Sequence, residues 1–118
     1  MKYIITENKL EQVILHFLNK GYGDLTEYRS DEYPDSILYV RDKKVYMYHD
    51  IETGILWVDY GTIWKDLENW FSMDDNDIEY VIKKWVEVAY NLRDVRPWKR
   101  TRTFRLQVEV AYNIKNRL

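Results

Sequence analysis

Four acids stand close together in the middle of the chain, Asp74, Asp75, Asp77 and Glu79, and a carboxylate cluster of that density is what a calcium or magnesium ion requires. An EF-hand loop also needs a glycine at its sixth position and a bidentate glutamate at its twelfth. Counted from Asp74 those places hold Glu79 and Trp85, and counted from Asp75 they hold Tyr80 and Val86. The acids therefore read as the cap and first turn of a helix, where carboxylates meet free N–H groups and the positive end of the helix dipole. His49 stands beside Asp50, a pairing that can orient an imidazole for general-base work. The chain has no cysteine, and no serine sits in a nucleophile setting for such a base to activate, so His49 reads as the polar end of a strand. His16 falls off the apolar stripe of its helix, and Gly21 and Gly23 in GYGD lack the third glycine and following helix of a dinucleotide loop. The expectation is a protein that is not an enzyme, with no catalytic residue, no metal ligand and no cofactor site.

The run RDVRPWKRTRTFR carries sharper chemistry. Arg93, Arg96, Lys99, Arg100 and Arg102 can neutralise phosphates, and the interleaved Trp98 and Phe104 can stack on unpaired bases. The competing reading is that these cations meet acids of the same chain or of a neighbouring subunit, or keep an edge strand from aggregating. The charge distribution allows either. From Arg93 onward there are eight Lys or Arg against two acids, whereas residues 1–92 hold ten basic and eighteen acidic residues, and the whole chain carries −2. An acidic body with a basic tail can bind itself, its twin or a polyanion, although the net charge repels a polyanion at long range. Five Trp and eleven Tyr in 118 residues are more large amphipathic rings than a small interior needs, so some are expected at a contact surface. The residues singled out for that contact are Tyr46, Tyr48, Trp57, Trp98, Arg100, Arg102 and Arg105.

At 14.6 kDa the chain is expected to form a single α+β domain spanning residues 1–118. Met1 to Ile5 is short and apolar, Thr6 offers a helix cap, and Leu10, Val13, Ile14, Phe17 and Leu18 recur at helical spacing. That pattern predicts a first helix over Glu7 to Lys20, ended by Gly21 as a left-handed cap. A turn-rich acidic stretch follows, with a short strand near Leu25 to Arg29. Ile37 to Arg41, Val45 to His49 and Ile55 to Tyr60 are β-branched and aromatic with short separators, which predicts an antiparallel three-stranded meander. Strict alternation in the middle strand puts Val45, Met47 and His49 on one face and Tyr46 and Tyr48 on the other. Gly61 and Thr62 start a helix carrying Ile63, Leu67, Trp70 and Phe71. A second consecutive helix, Asn76 to Leu92, has Ile78, Val81, Ile82, Trp85, Ala89 and Leu92 on one stripe. Tyr80, Val86, Val88 and Tyr90 widen that stripe, which calls for cover on two sides. Residues 93–101 read as a basic linker, and residues 102–114 as a long C-terminal strand in which Phe104, Leu106, Val108, Val110, Tyr112 and Ile114 alternate with polar positions.

MKYIITENKLEQVI, DIETGILWVDYGTIWKDLENWFSM and VIKKWVEVAYNL resemble segments of small uncharacterised proteins of tailed phages and phage-like marine sequences. The likeness lies in the MKYII opening, an acidic turn leading to an aromatic strand, and a helix ending in a Trp-Val pair, here Trp85 and Val86. It covers residues 1–92 and implies no activity. The functional expectation is a non-enzymatic protein-interaction or assembly protein, phage-encoded, acting through aromatic and basic surfaces on a protein partner or on its own copies as a homo-oligomer. The alternative is a nucleic-acid-binding accessory protein that uses Arg93 to Arg105. MKYIITENKLEQ carries no run of seven apolar residues, and no stretch approaches the roughly 20 apolar residues that span a bilayer. A cytoplasmic protein of an infected host cell, or a virion-associated one, is expected, with no membrane partner.

Overall fold

The computed structural model describes residues 7–31 and 33–100. The opening strand Met1 to Ile5, the Thr6 cap, the C-terminal strand expected at 102–114, Arg102 and Arg105 lie outside the described residues. The elements run α1 (Glu7–Tyr22), β1 (Thr26–Ser30), β2 (Tyr33–Arg41), β3 (Lys44–Asp50), β4 (Ile55–Asp59), a π-helical turn (Tyr60–Trp64), α2 (Lys65–Phe71), α3 (Asp75–Ala89) and β5 (Arg96–Arg100). They form one five-stranded sheet in the order β1-β2-β3-β4-β5. Neighbours from β1 to β4 are antiparallel, and β5 lies parallel to β4.

The α+β class and the two consecutive helices are as expected, but the three-stranded meander is part of a larger mixed sheet. β1 joins its edge, and β2 starts earlier, at Tyr33. Pro34 is tolerated there because β2 pairs with β3 only from Ser36 onward, so its missing N–H interrupts no bond between those two strands. The basic linker expected at 93–101 is in part a strand, Arg96–Arg100. Periodicity could not show it, since five residues with Pro97 and three cations carry no apolar alternation.

The core lies between the helices and one face of the sheet. Ile14 and Leu18 of α1, Ile37, Tyr39, Met47, Leu56 and Val58 of the sheet, and Ile78, Val81, Ile82, Trp85 and Val86 of α3 form one buried cluster. The widened stripe of α3 is thus largely consumed inside the protein. Val86 is buried in the core, and the Tyr90 hydroxyl donates to the Tyr22 carbonyl while accepting from the Leu25 N–H at 3.0 Å. Tyr80 and Val88 remain exposed. α3 itself runs Asp75–Ala89 rather than Asn76 to Leu92. Asp74 is its N-cap, accepting from the Asp77 N–H at 2.9 Å, so an acid of the suspected metal loop serves the helix end.

α1 continues past Lys20 to Tyr22, and Gly21 is helical rather than a left-handed cap. The turn is made two residues later. A Cβ on Gly23 would lie 2.4 Å from the Asn19 carbonyl oxygen, a backbone atom that cannot swing aside. Arg41 secures this corner, donating at 2.8 Å to both the Gly21 carbonyl and Asp24 Oδ1, so a cation meets the carbonyl end of the helix. Gly23→Ala is therefore expected to cost about 1–3 kcal/mol, the range of an overpacked site. Gly21→Ala, with nothing within 4 Å of its Cβ position, is expected to raise stability by about 0.5–1 kcal/mol. Urea unfolding of the two variants checks the opposite signs.

Candidate macromolecule-binding face

Side chains that are directly opposite across a ladder share a face of the sheet. Tyr28 of β1 is opposite Leu38 of β2, Leu38 opposite Tyr48 of β3, Tyr48 opposite Trp57 of β4, and Trp57 opposite Trp98 of β5. One row, four rings and a leucine, thus crosses all five strands on the face away from the helices. Beneath the rings a second apolar cluster of Leu38, Val40 and Val45 is buried, with Tyr28, Tyr48 and Trp57 packed against it and half-buried. Ser36 Oγ donates to the Tyr48 hydroxyl at 3.0 Å and steadies that ring. Trp98, at the end of the row, is 49% exposed. Its ring centroid lies 6.4 Å from that of Trp57, and the Arg100 guanidinium sits 4.5 Å from the Trp57 centroid.

β5 divides the basic segment by alternation. Arg96, Trp98 and Arg100 point to the outer face, while Pro97 is buried and Lys99 turns to the helix layer. Lys99 Nζ pairs with Asp75 Oδ2 at 2.9 Å, and Trp64 Nε1 donates to Asp75 Oδ1 at 3.1 Å. Lys99 first, then Trp64, holds the Asp75 carboxyl below the usual carboxylate range, and Asp75 in turn raises the Lys99 ammonium. Lys99 thus meets the acidic body, as the second reading of the basic run expects, whereas Arg96 and Arg100 lie on the other face, where Asp59 of β4 stands opposite Arg100. The Arg96 N–H donates to the Gly54 carbonyl at 2.9 Å, which turns the backbones of Arg96, Trp98 and Arg100 toward β4. Pro97 and Lys99 consequently face away from β4, at the edge of the sheet among the described residues, and Pro97 has no N–H, so the strand offers a single donor there.

Of the residues singled out from sequence, the fold brings together Tyr48, Trp57, Trp98 and Arg100. Tyr46 does not join them. A bulge in β3 sets Val40 opposite Val45 and Tyr39 opposite Met47, which exchanges the faces that strict alternation assigns to Val45 and Tyr46. Val45 lies in the outer cluster, and Tyr46 packs on the main core, its ring 5.7 Å from Tyr22 and 5.1 Å from the Arg41 guanidinium. Arg93 is exposed in the loop before β5. Tyr28 was missed, although the apolar centre of TEYRS is a period-two signal once β1 is known to pair. The chain matches no family model, no curated protein and no solved structure. Among the described residues no group of acids, His or Cys is placed to hold a metal ion, and no helix is long and apolar enough to cross a membrane.

His49 and Asp50 do not form a dyad. Successive residues of a strand point to opposite faces, and the Asp50 carboxylate accepts from the Glu52 and Thr53 N–H groups at 3.1 and 3.4 Å, closing the turn instead. His49 lies opposite Ile37 and Leu56 with a buried Nδ1 that has no hydrogen-bond partner. Burial lowers its pKa from the ordinary 6.5, against a smaller opposing pull from Asp50. The unfolded chain therefore binds the proton more readily, and the stability present above pH 6.5 is lost as pH falls from there through the folded value. Unfolding midpoints between pH 8 and pH 5 are expected to fall for the wild type and to fall less for His49→Gln.

Proposed function

We propose that the protein is a non-enzymatic binding module whose working surface is the outer face of the sheet. The observation that carries this reading is the in-register row of Tyr28, Tyr48, Trp57 and Trp98, ending on an edge strand with Arg96 and Arg100 on the same face. Folding alone gives a poor account of it. The two tryptophans that serve the core are enclosed and hydrogen-bonded: Trp64 and Trp85 are 1% exposed, the Trp64 Nε1 donates to Asp75 Oδ1 at 3.1 Å, and the Trp85 Nε1 donates to Asn19 Oδ1 at 2.8 Å. Trp98 stands at the rim, half in water. An interaction or assembly role in a phage-infected cell or a virion fits this reading, and that setting rests on the sequence resemblance.

Self-association is less well supported at the places the sequence suggested. The apolar breadth of α3 is mostly spent inside the chain, and the β5 edge is blunted by Pro97.

A ring kept for a partner contributes less to folding than a core ring. Trp98→Ser is expected to cost about 1–2 kcal/mol of unfolding free energy, for the half of the ring that is buried, whereas Trp85→Ala costs about 3–5 kcal/mol. A loss at Trp98 as large as at Trp85 in urea unfolding makes it a structural ring and overturns the reading. Light scattering at low and high salt is expected to return the mass of one chain, leaving the face free for a partner.

A further inference from the structure

We infer that the occupant of the outer face is single-stranded nucleic acid, its bases stacked on Trp98 and Trp57 and its phosphates held by Arg96 and Arg100. This rests on the reading of that face as the binding surface.

The geometry puts both ingredients of such a site on one strand. Arg96 and Arg100 lie two residues to either side of Trp98, so each cation stands about 7 Å along the strand from the ring between them. Neither Arg is in an ion pair with the Asp75 that takes Lys99, and Arg96 is exposed. Trp57 continues the platform into the sheet, with the Arg100 guanidinium already on its ring. A planar guanidinium stacks on a base as an aromatic ring does while carrying the charge a phosphate needs.

Acids outnumber bases on the helix side, and on the outer face Asp59, 1% exposed, stands opposite Arg100. Between Tyr60 and Ala89, the crossover that builds the helix layer, there are seven acids against three lysines. A polyanion is therefore repelled from the helix side and drawn to β5, so the net charge of −2 orients the ligand rather than excluding it. The other occupants fit less well. An added strand finds one N–H on the β5 edge, and a purely apolar partner would have to desolvate two guanidiniums. A duplex keeps its base faces stacked inside, out of reach of Trp98 and Trp57. Stacking on rings accepts every base, so binding should tolerate sequence.

The test is fluorescence anisotropy of the full chain with labelled 20-nucleotide thymidine and uridine oligomers and with a duplex of the same length. The expected result is saturable binding to the single strands, weaker binding to the duplex, and quenching of tryptophan fluorescence. With the two phosphates at Arg96 and Arg100 neutralised, affinity should fall roughly 7-fold between 50 and 200 mM salt. Trp98→Ser should weaken binding about 5- to 150-fold. Arg96→Ser should weaken it and flatten the salt dependence, and Arg100→Lys should weaken it with the salt slope unchanged. Trp70→Ser, at an exposed ring on α2, should bind as the wild type does. Absence of binding at 50 mM salt, equal affinity for the duplex, or unchanged affinity in both Trp98→Ser and Arg96→Ser overturns the inference while leaving the face open to a protein. A dimer that Trp98→Ser dissociates also overturns it, by making a second copy the occupant. Failure of the reading beneath it shows separately, as loss of fold in Trp98→Ser; Arg96→Ser then still decides whether nucleic acid binds.

Discussion

The parallel pairing of β4 with β5 is the constraint on which the rest of the structure depends. Two parallel neighbours cannot be joined by a hairpin, so the chain must leave one end of the sheet after Asp59 and return to the other before Arg96. The π-helical turn, α2 and α3 are that return path. Laid on one face, they bury Ile63, Trp64 and Leu67 and then the α3 stripe, and with α1 they complete the core. The crossover covers one face, and among the described residues the other face carries side chains of the strands alone. β5 is held at its start by the Arg96 to Gly54 bond and on the helix side by the Lys99–Asp75 pair. Gly54 has φ +79, a left-handed value that suits glycine, in the turn that presents this carbonyl.

Aromatic residues divide between two physical roles. Three of them are tied by their polar tips to the helix layer: Tyr22 donates to Asp66, Tyr60 to Glu68, and Trp64 to Asp75. These bonds tie α1 to α2, the π-helical turn to α2, and the same turn to α3. Burial, then the hydrogen bond to Asp66, raises the Tyr22 phenol above its ordinary value, so it stays a neutral donor through the physiological range. On the outer face the rings instead shield Leu38, Val40 and Val45, and a ring that roofs a shallow apolar cluster is left with its other side outward. Shelter of the second cluster and the presence of outward aromatic surface are thus the same arrangement.

Much of this was legible from local pattern. The 3.6-residue stripes of α1 and α3, the β-branched runs of β2 to β4, and Asp74 as a capping acid follow from interactions within a few residues of one another. The failures have specific causes. Gly21 looked like a helix end because glycine commonly is one, but the turn is made at Gly23, where the chain passes too close to the Asn19 carbonyl for any side chain. Tyr46 looked like a surface ring because alternation was carried unbroken through β3, and the bulge opposite Val40 broke it. Arg96 to Arg100 looked like a linker because its partner strand lies some forty residues earlier in the chain.

The sequence by itself determined the α+β class, the helix and most strand positions, the excess of rings, and the separation of an acidic body from a basic end. It could also name Trp57, Trp98 and Arg100 as candidate contact residues without saying that they meet. Only the tertiary structure decided that Tyr28, Tyr48, Trp57 and Trp98 form one row, that Lys99 is spent on Asp75, and that Arg96 and Arg100 are left on the outer face. The reason is that side-chain periodicity is a property of a few consecutive residues, whereas register and face are set by hydrogen bonds between strands far apart in the chain. A shift of one residue in any of those ladders would have put the same side chains on the opposite side.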